Sequence, residues 1–206
     1  MSSVSFEAVR LKCIRNERIL FKDLGFRIRS GEVLQVEGPN GSGKTSLLRI
    51  LCGLVLPDEG EVAWNGRAIK EIHFEFTKEV NYIGHSNGIK LELTPLENLI
   101  VARSLMLSRQ DISLTEALTQ MNLSDLADVP VRKLSSGQCR RVALSRLLIS
   151  QACIWILDEP FTTLDDNGRH LVQEMIVTHA DAGGITVVVT HEPIKLPENK
   201  LNKITL

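Results

Sequence analysis

One glycine-rich segment, residues 38–45, has the residue types and the spacing of a phosphate-binding loop. It reads GPNGSGKT and matches G-x-x-x-x-G-K-[ST], between an apolar run that predicts a strand and a leucine-rich run that predicts a helix. Glycines let backbone N–H groups approach phosphate oxygens, and the start of a helix adds a positive dipole. We predict that Lys44, as a catalytic residue, reaches the β- and γ-phosphates of a nucleotide and that Thr45 ligates Mg²⁺. The alternative is a flexible glycine turn without a ligand. The predicted nucleotide-binding residues are Gly38, Pro39, Asn40, Gly41, Ser42, Gly43, Lys44, Thr45 and Ser46.

Two adjacent acids follow a second apolar run, CIWILDEP, at residues 153–160. Residues 154–157 predict a buried strand, and in an open α/β sheet the carboxyl end of a strand borders the ligand crevice. We predict that Asp158 holds Mg²⁺, directly or through water, and that Glu159 is the general base for an attacking water. A plain strand cap is the alternative. This alternative is disfavoured because the two acids follow a phosphate loop in the same chain, with Glu159 lying 115 residues after Lys44.

A third segment, LSSGQCRRVALSR at residues 134–146, predicts the start of a helix. Ser135 and the backbone at Gly137 open this helix, whose positive end can face a phosphate. The same residues also fit an ordinary N-capped amphipathic helix with no ligand. We expect Arg140 and Arg141 to be solvated on its outer face. The residues expected to face the core are Val142, Leu144, Leu147 and Leu148.

The elements around these segments alternate between strands and helices. A strand is predicted at residues 33–37, and Leu47, Leu48, Leu51 and Leu54 have helical spacing after the phosphate loop. The segment LPDEGEVAWNGRAI predicts two short strands, with turns at residues 57–60 and 65–66. The β-branched run GITVVVTH is typical of a strand covered on both faces. This alternation indicates an α/β fold with a parallel sheet.

A change of character marks a helical insertion between about residues 92 and 135. Its first helix carries Pro95 in the first turn, and a second helix has Asp111 or Ser113 as its cap. Of the 206 residues, 43% are hydrophobic and 24% are charged, and the net charge is −1, which gives no electrostatic basis for binding nucleic acid. No apolar run approaches the ~18 residues that span a bilayer. We therefore expect membrane contact only through a partner.

The segment LSSGQ resembles the LSGGQ signature of the ATP-binding-cassette (ABC) ATPases, with Ser136 in place of the first glycine of the pair. Together with the phosphate loop and the two acids, the resemblance extends over nearly the whole chain. It implies an ATPase with ATP and Mg²⁺ as cofactors. It also implies a P-loop NTPase fold of the ABC-cassette type, with a mostly parallel sheet core, an N-terminal antiparallel β portion and a small helical insertion. Residues 1–206 would form one ATP-binding domain with a helical subdomain at about 92–135.

The family resemblance assigns roles to further residues. It also implies an ATP-dependent homodimer, in which two copies sandwich two ATP molecules head to tail. Asp165 lies in TTLDD, which is similar to the D-loop. His191 lies in VTHE, which is similar to the switch region, and would contact the γ-phosphate and help Glu159 to orient water. A strand-end histidine without a role is the alternative. The signature residues that would contact the ATP of the second subunit are Ser135, Ser136, Gly137 and Gln138.

Two positions depart from the usual pattern of the family. His85, in NYIGHSNGIK, stands where most members have a glutamine that touches Mg²⁺ or the attacking water and senses the membrane subunit. A histidine can also offer a ring nitrogen for one hydrogen bond, so it is either a working substitute or a solvated loop residue. The aromatic residue that stacks on adenine is missing as well. Ile14 or Arg15 occupies its place, and Arg15 or Arg18 could stack on a purine.

Four segments resemble one subfamily in particular: YIGHSNGIK, LTPLENL, LSSGQCRRVALSRL and WILDEPFTTLD. They are similar to the CcmA subfamily, the ATP-binding subunits of the so-called haem exporter of c-type cytochrome maturation. The resemblance implies a peripheral subunit on the cytoplasmic face of the bacterial inner membrane. Its partners would be a CcmB-like membrane permease subunit and a haem-handling membrane protein. ATP would drive either haem export or the release of a haem-loaded chaperone.

Other functions remain open at this point. The first is an ABC ATPase that acts on another cargo, in a process such as lipoprotein release, multidrug efflux or metal uptake. The second is a soluble ABC ATPase in DNA repair or translation, which is disfavoured because duplicated cassettes, long coiled coils and basic arms are absent from the sequence. A GTPase is disfavoured because the chain has no N-K-x-D motif.

Overall fold

The computed structural model describes residues 4–206, which form two β-sheets with helices packed against them. An N-terminal antiparallel sheet has the strand order β2-β1-β4-β5, and a second sheet has the order β6-β7-β8-β3-β9. Every pairing within the second sheet is parallel. This arrangement confirms the predicted combination of a parallel core sheet and an antiparallel N-terminal portion. The strands are β1 (Ser5–Arg15), β2 (Arg18–Arg29), β3 (Val33–Glu37), β4 (Glu59–Trp64), β5 (Arg67–Ala68), β6 (Val80–Ile83), β7 (Ile154–Asp158), β8 (Ile185–Val189) and β9 (Leu201–Thr205).

The parallel sheet brings the ends of four strands to one edge. Val36 of β3 and Asp158 of β7 both pair with Val189 of β8, and Ile83 of β6 pairs with Leu157. Every residue of β7 and β8 is buried, as their apolar and β-branched sequences predict. Because parallel strands end at the same edge, the segments after β3, β6, β7 and β8 are neighbours. These segments carry the phosphate loop, His85, Glu159 and His191.

Helix α1 (Lys44–Leu51) starts directly in the phosphate loop and packs into the core shared by both sheets. Its Leu47, Leu48 and Leu51 are fully buried, as predicted. The prediction for Leu54 is wrong, since the helix ends at Leu51 and the Leu54 side chain is 62% exposed. Gly53 has a φ of 70°, a left-handed conformation that ends the helical periodicity before Leu54.

The segment predicted as a helical insertion contains α3 (Pro95–Leu105) and α4 (Leu114–Gln120), which pack on α5 (Ser136–Leu148) in a second core cluster. Thr94 caps α3 in a reciprocal capping box with Glu97. Ser113, and not Asp111, caps α4. The remaining α-helices are α2 (His73–Phe76) and α6 (Asp166–Asp181). Short 3₁₀ helices lie at Ser124–Leu126, Val131–Lys133 and Glu198–Lys200. Among residues 4–206, no helix combines the length and the apolar character that crossing a bilayer requires.

Helix α5 overturns one expectation about its arginines. The apolar face is buried at Val142, Leu144 and Leu147 as predicted, while Leu148 is half-buried. Arg140, however, is only 3% exposed, and Arg141 is half-buried against the carbonyls of the insertion. The prediction that both are solvated is wrong because a guanidinium carries five N–H donors, which carbonyl oxygens in the interior can satisfy.

Candidate active site

The phosphate loop wraps around the amino end of α1. Gly43 precedes the helix with a φ of 106°, which a residue with a Cβ rarely adopts. The Nζ atom of Lys44 donates hydrogen bonds to the carbonyls of Gly38 at 2.6 Å and Pro39 at 3.0 Å. The lysine therefore folds back over the loop into which a phosphate would fit.

A cleft of about 440 Å³ opens beside this loop. His85, Asp158 and Glu159 line it from the ends of two neighbouring strands, and Arg15 and Leu20 line it from the antiparallel sheet. The loop residues that line the cleft are Asn40, Gly41, Gly43, Lys44, Thr45 and Ser46. Of the other predicted loop residues, Gly38 and Pro39 hold the lysine, and the Ser42 hydroxyl is buried without a hydrogen-bond partner among the described residues. The cleft thus gathers groups that lie more than 100 residues apart in the chain.

Thr45 and Asp158 meet at the floor of the phosphate loop. The Thr45 hydroxyl donates a hydrogen bond to a carboxylate oxygen of Asp158 at 3.1 Å, and Asp158 is 4% exposed. A hydroxyl and a carboxylate offer the oxygen ligands that Mg²⁺ favours. The residues present therefore fit the metal that the sequence predicts.

Glu159 follows the last residue of β7 in a left-handed conformation, with a φ of 50°. Its side chain is 28% exposed, and burial raises the pKa of its carboxyl group, while the nearby His191 opposes this shift. The Nε2 atom of His191 lies 4.0 Å from the Glu159 carboxylate. A carboxylate at this edge of the sheet can accept a proton from a water molecule held between it and the γ-phosphate.

His85 lies in the loop after β6 and is exposed where it lines the cleft. The nearby His85 ring also opposes the rise in the pKa of the Glu159 carboxyl group, less than His191 does. His85, at the position of the family's glutamine, and the catalytic candidate His191 are thus both near the Glu159 carboxylate. Their side chains are accessible to a ligand or to another subunit.

The signature segment opens α5 with a capping box. The Ser135 hydroxyl accepts from the backbone N–H of Gln138 at 3.2 Å, and the Gln138 side chain accepts from the backbone N–H of Ser135 at 2.8 Å. Ser135 and Ser136 are exposed. A Cβ on Gly137 would lie 2.7 Å from the carbonyl oxygen of Thr163, so this glycine permits the close approach of the segment before α6. The second glycine of the signature is thereby required, whereas the first position tolerates Ser136.

Asp165, the predicted D-loop acid, caps α6 by accepting a hydrogen bond from the backbone N–H of Gly168 at 2.8 Å. It is exposed, and it follows Thr163 and Leu164, which lie against Gly137 of the signature segment.

Of the two arginines considered for stacking on a purine, Arg15 lines the cleft beside the phosphate loop and Arg18 does not. The Nη1 atom of Arg15 donates to the carbonyl of Ile14 at 2.6 Å and lies 3.7 Å from the Asp58 carboxylate. Arg15 is therefore the better placed of the two candidates for contact with a purine.

Two residues that support the site were missed in the sequence. The side-chain amide of Gln35 donates to the carbonyls of Thr190 at 3.3 Å and Glu192 at 3.2 Å, and so fixes the segment that carries His191. The buried guanidinium of Arg140 bonds to the carbonyls of residues 158–160 and to the loop of His85. The sequence signal for Gln35 is its position as a polar residue in the middle of a buried apolar strand. Burying its amide without a hydrogen-bond partner would destabilise the fold, so a partner is expected.

Comparison with known proteins agrees with this geometry. Residues 21–162 match the ABC transporter family. The chain is 44% identical over 200 residues to the cytochrome c biogenesis ATP-binding export protein CcmA of Yersinia pestis, covering 97% of this chain and 92% of the relative. The CcmA protein of Escherichia coli K12 has the same identity, with 97% of this chain and 95% of the relative covered.

Solved structures share the fold. A putative ABC transporter ATP-binding protein from Pyrococcus furiosus superimposes with a TM-score of 0.84 over 98% of this chain and 97% of that chain, at 24% identity. An ATP-binding subunit of an ABC transporter gives a TM-score of 0.77 over 90% of this chain and 79% of that chain. The predicted ABC-cassette fold is confirmed, and the chain is an ATP-hydrolysing member of the ABC transporter family that belongs with the CcmA proteins.

Proposed function

We propose that this chain is the ATP-hydrolysing subunit of an ABC exporter complex that acts in c-type cytochrome biogenesis. The observation that carries the proposal is 44% identity over 97% of the chain to relatives named for that process. ATP hydrolysis would drive either haem export or the release of a haem-loaded chaperone. These two coupled steps need the same chemistry from this subunit, so the choice between them belongs to its membrane partners.

The roles of the cleft residues follow from their chemistry. Lys44 and the backbone N–H groups of the loop would neutralise the β- and γ-phosphates. Mg²⁺, held by Thr45 and Asp158, would supply charge stabilisation on the same phosphates. Glu159 would accept the proton of the attacking water, and its raised pKa brings a carboxylate closer to the proton affinity that a base needs. His191 would orient that water and contact the γ-phosphate.

An ATP-dependent homodimer would complete each site. The start of α5, where Ser135 and Ser136 are exposed and Gly137 and Gln138 are half-buried, would bind the γ-phosphate of nucleotide held by the second copy. Helix N-termini bind anions through free N–H groups and the helix dipole, which supports this contact. Asp165 is exposed beside the signature and would lie at the same dimer interface.

A membrane permease subunit is the expected docking partner, and one groove with exposed apolar side chains on its lining supports this contact. Phe74 is 76% exposed and Leu105 is 81% exposed on the lining of one groove, together with the exposed Leu107. Exposed apolar patches of this kind are typical of interfaces. The permease would be CcmB-like, beside a haem-handling membrane protein, and this subunit would lie on the cytoplasmic face of the bacterial inner membrane. Leu105→Asp should release the subunit from membranes, while Leu56→Asp, at an exposed leucine outside the groove, should not.

Deletion of the gene followed by haem staining of c-type cytochromes tests the proposal. We expect the stained cytochromes to disappear and to return with the wild-type gene, but not with Glu159→Gln. The exposed Lys22→Ala serves as a control that should restore them fully. Normal cytochromes in the deletion strain would refute a role in this process and leave the ATPase activity standing.

A further inference from the structure

Arg140 occupies an unusual position for a charged residue, since it is buried next to the reacting groups without touching the nucleotide cleft. Its Nη2 atom donates to the carbonyl oxygens of Asp158 at 2.7 Å and Glu159 at 3.0 Å. Its Nε atom makes a longer contact of 3.4 Å to the carbonyl of Pro160. On the other side, Nη1 donates to the carbonyl of Gly84 at 2.8 Å and to the side-chain oxygen of Asn87 at 3.1 Å.

These five acceptors fall into two groups from separate segments. The first group is the turn at residues 158–160, and the second is the loop at residues 84–87. Because both peptide groups that flank Glu159 bind one nitrogen of the guanidinium, Arg140 restrains the backbone angles on each side of this residue. Glu159 has a positive φ, a conformation that persists in a residue with a side chain only when its surroundings enforce it.

The chemistry of the guanidinium suits a single rigid link between two segments. Its planar fork presents N–H groups in opposite directions, whereas an ammonium is one point charge on a flexible stem. Burial lowers the pKa of Arg140, and the neighbouring Asp158 and Glu159 oppose that shift. The guanidinium stays protonated at any physiological pH, so the link does not depend on pH.

We propose that Arg140 is a positioning residue that holds Glu159 and the His85 loop in register with the signature helix. The proposal rests on the proposed roles of Glu159 and His85 in hydrolysis. Arg140 lies one helical turn after the signature residue Gly137 on α5. A shift of α5 when the signature engages a second subunit therefore acts on the turn that carries the general base.

Two other arginines on α5 provide an internal comparison. Arg146 donates to the carbonyls of Asn87 at 3.3 Å and Gly88 at 3.2 Å, so it holds the loop of His85 but has no bond to the turn at Glu159. Arg141 donates to the carbonyls of Met121 at 3.0 Å and Asn122 at 3.2 Å, inside the helical insertion. Only Arg140, among these three, joins both segments.

The test uses Arg140→Lys in the full chain, with Arg141→Lys as the matched control. We expect Arg140→Lys to lower kcat by at least about tenfold, while KM and the equilibrium Kd for ATP change less than about threefold, because phosphate contacts are intact. Amide hydrogen exchange should become faster at residues 84–88 and 159–161. Arg141→Lys should change neither kcat nor exchange at those residues.

Several outcomes would overturn the proposal. One is wild-type kcat in Arg140→Lys, and another is an equal loss in Arg140→Lys and Arg141→Lys. If Arg140→Lys does not fold, Asn87→Ala removes one acceptor of the link, and unchanged exchange at residues 84–88 would count against it. Glu159→Gln is measured in parallel. Wild-type turnover in that variant would refute the proposed general base, which is a separate failure from that of the Arg140 link.

Discussion

The two sides of the cleft are held together in different ways. On the phosphate side, Lys44 bonds to carbonyls five and six residues earlier, and the loop runs straight into its helix. On the water side, Glu159 and the two histidines come from three strand ends. The links among them span long distances in the sequence, 56 residues from Arg140 to Gly84 and 155 residues from Gln35 to Thr190.

This difference separates binding from hydrolysis in physical terms. The phosphate side is built mostly by local backbone geometry, and its long-range contact is the hydrogen bond from Thr45 to Asp158. The water side is in place only when the parallel sheet, α5 and buried polar side chains are all packed correctly. A substitution on the phosphate side should abolish nucleotide binding. A substitution on the water side should leave binding intact and slow the chemical step.

Lys44→Ala should give the largest effect, because it removes the only charged side chain of the phosphate loop. We expect kcat/KM for ATP to fall by about 10³- to 10⁵-fold, the scale known for losing a cationic side chain that stabilises the charge on a transferring phosphate. ATP binding by equilibrium titration should weaken together with turnover. Lys22→Ala is the control, and normal affinity and hydrolysis in Lys44→Ala would overturn the assignment of the phosphate loop.

Glu159→Gln should separate the two sides most clearly. Loss of a general base costs about 10²- to 10⁴-fold in kcat, whereas ATP affinity should be retained and an ATP-bound dimer should accumulate. In the wild type, kcat should fall as the pH drops through the pKa of Glu159, which burial raises, because protonation removes the base. Size-exclusion chromatography with ATP and a pH profile of turnover would check both. Unchanged turnover in the variant would exclude Glu159 as the base.

The same division explains what the sequence could reveal. GPNGSGKT, the acids after an apolar strand and the LSSGQ segment are contiguous patterns, and each predicted its local structure correctly. The sequence predicts Arg140 as solvated because the core-facing positions of its helix are assigned to apolar residues. Its partners at residues 84–87 and 158–160 are not adjacent to it in the sequence. The prediction for Leu54 was wrong for the opposite reason. The helical spacing of the leucines continues in the sequence, but a left-handed glycine ends the helix before Leu54.

Gly137→Ala tests the joint between the signature helix and the segment before α6. The added Cβ would lie 2.7 Å from the Thr163 carbonyl, which is backbone and cannot move aside without shifting its segment. Overpacking of this kind costs about 1–3 kcal/mol, which for a chain of this size lowers Tm by roughly 2–12 °C. We also expect turnover to fall by about tenfold through the displaced signature, on the scale of a modest loss of orientation.

Gly25→Ala is the matched control for this change, because its Cβ would meet its nearest atom at 3.4 Å, an ordinary contact. Its Tm and turnover should stay close to those of the wild type. A Gly137→Ala protein that unfolds at the wild-type temperature with full activity would show that the signature and the segment of Thr163 pack more loosely than the structure indicates.

The smallest effect should come from substitutions of His85, which is exposed to solvent on the water side of the cleft. Its ring lines the cleft close to Glu159, but no hydrogen bond fixes it among residues 4–206. If it acts as a substitute for the family's glutamine, His85→Gln should keep turnover within about twofold, because an amide also offers both a donor group and an acceptor. His85→Ala should then lower kcat by up to about tenfold with little change in ATP affinity, while the exposed neighbour Ser86→Ala has no effect. Full ATPase activity and cytochrome maturation with alanine would make the histidine an incidental loop residue, and a loss with glutamine as large as with alanine would instead show that the imidazole itself is required.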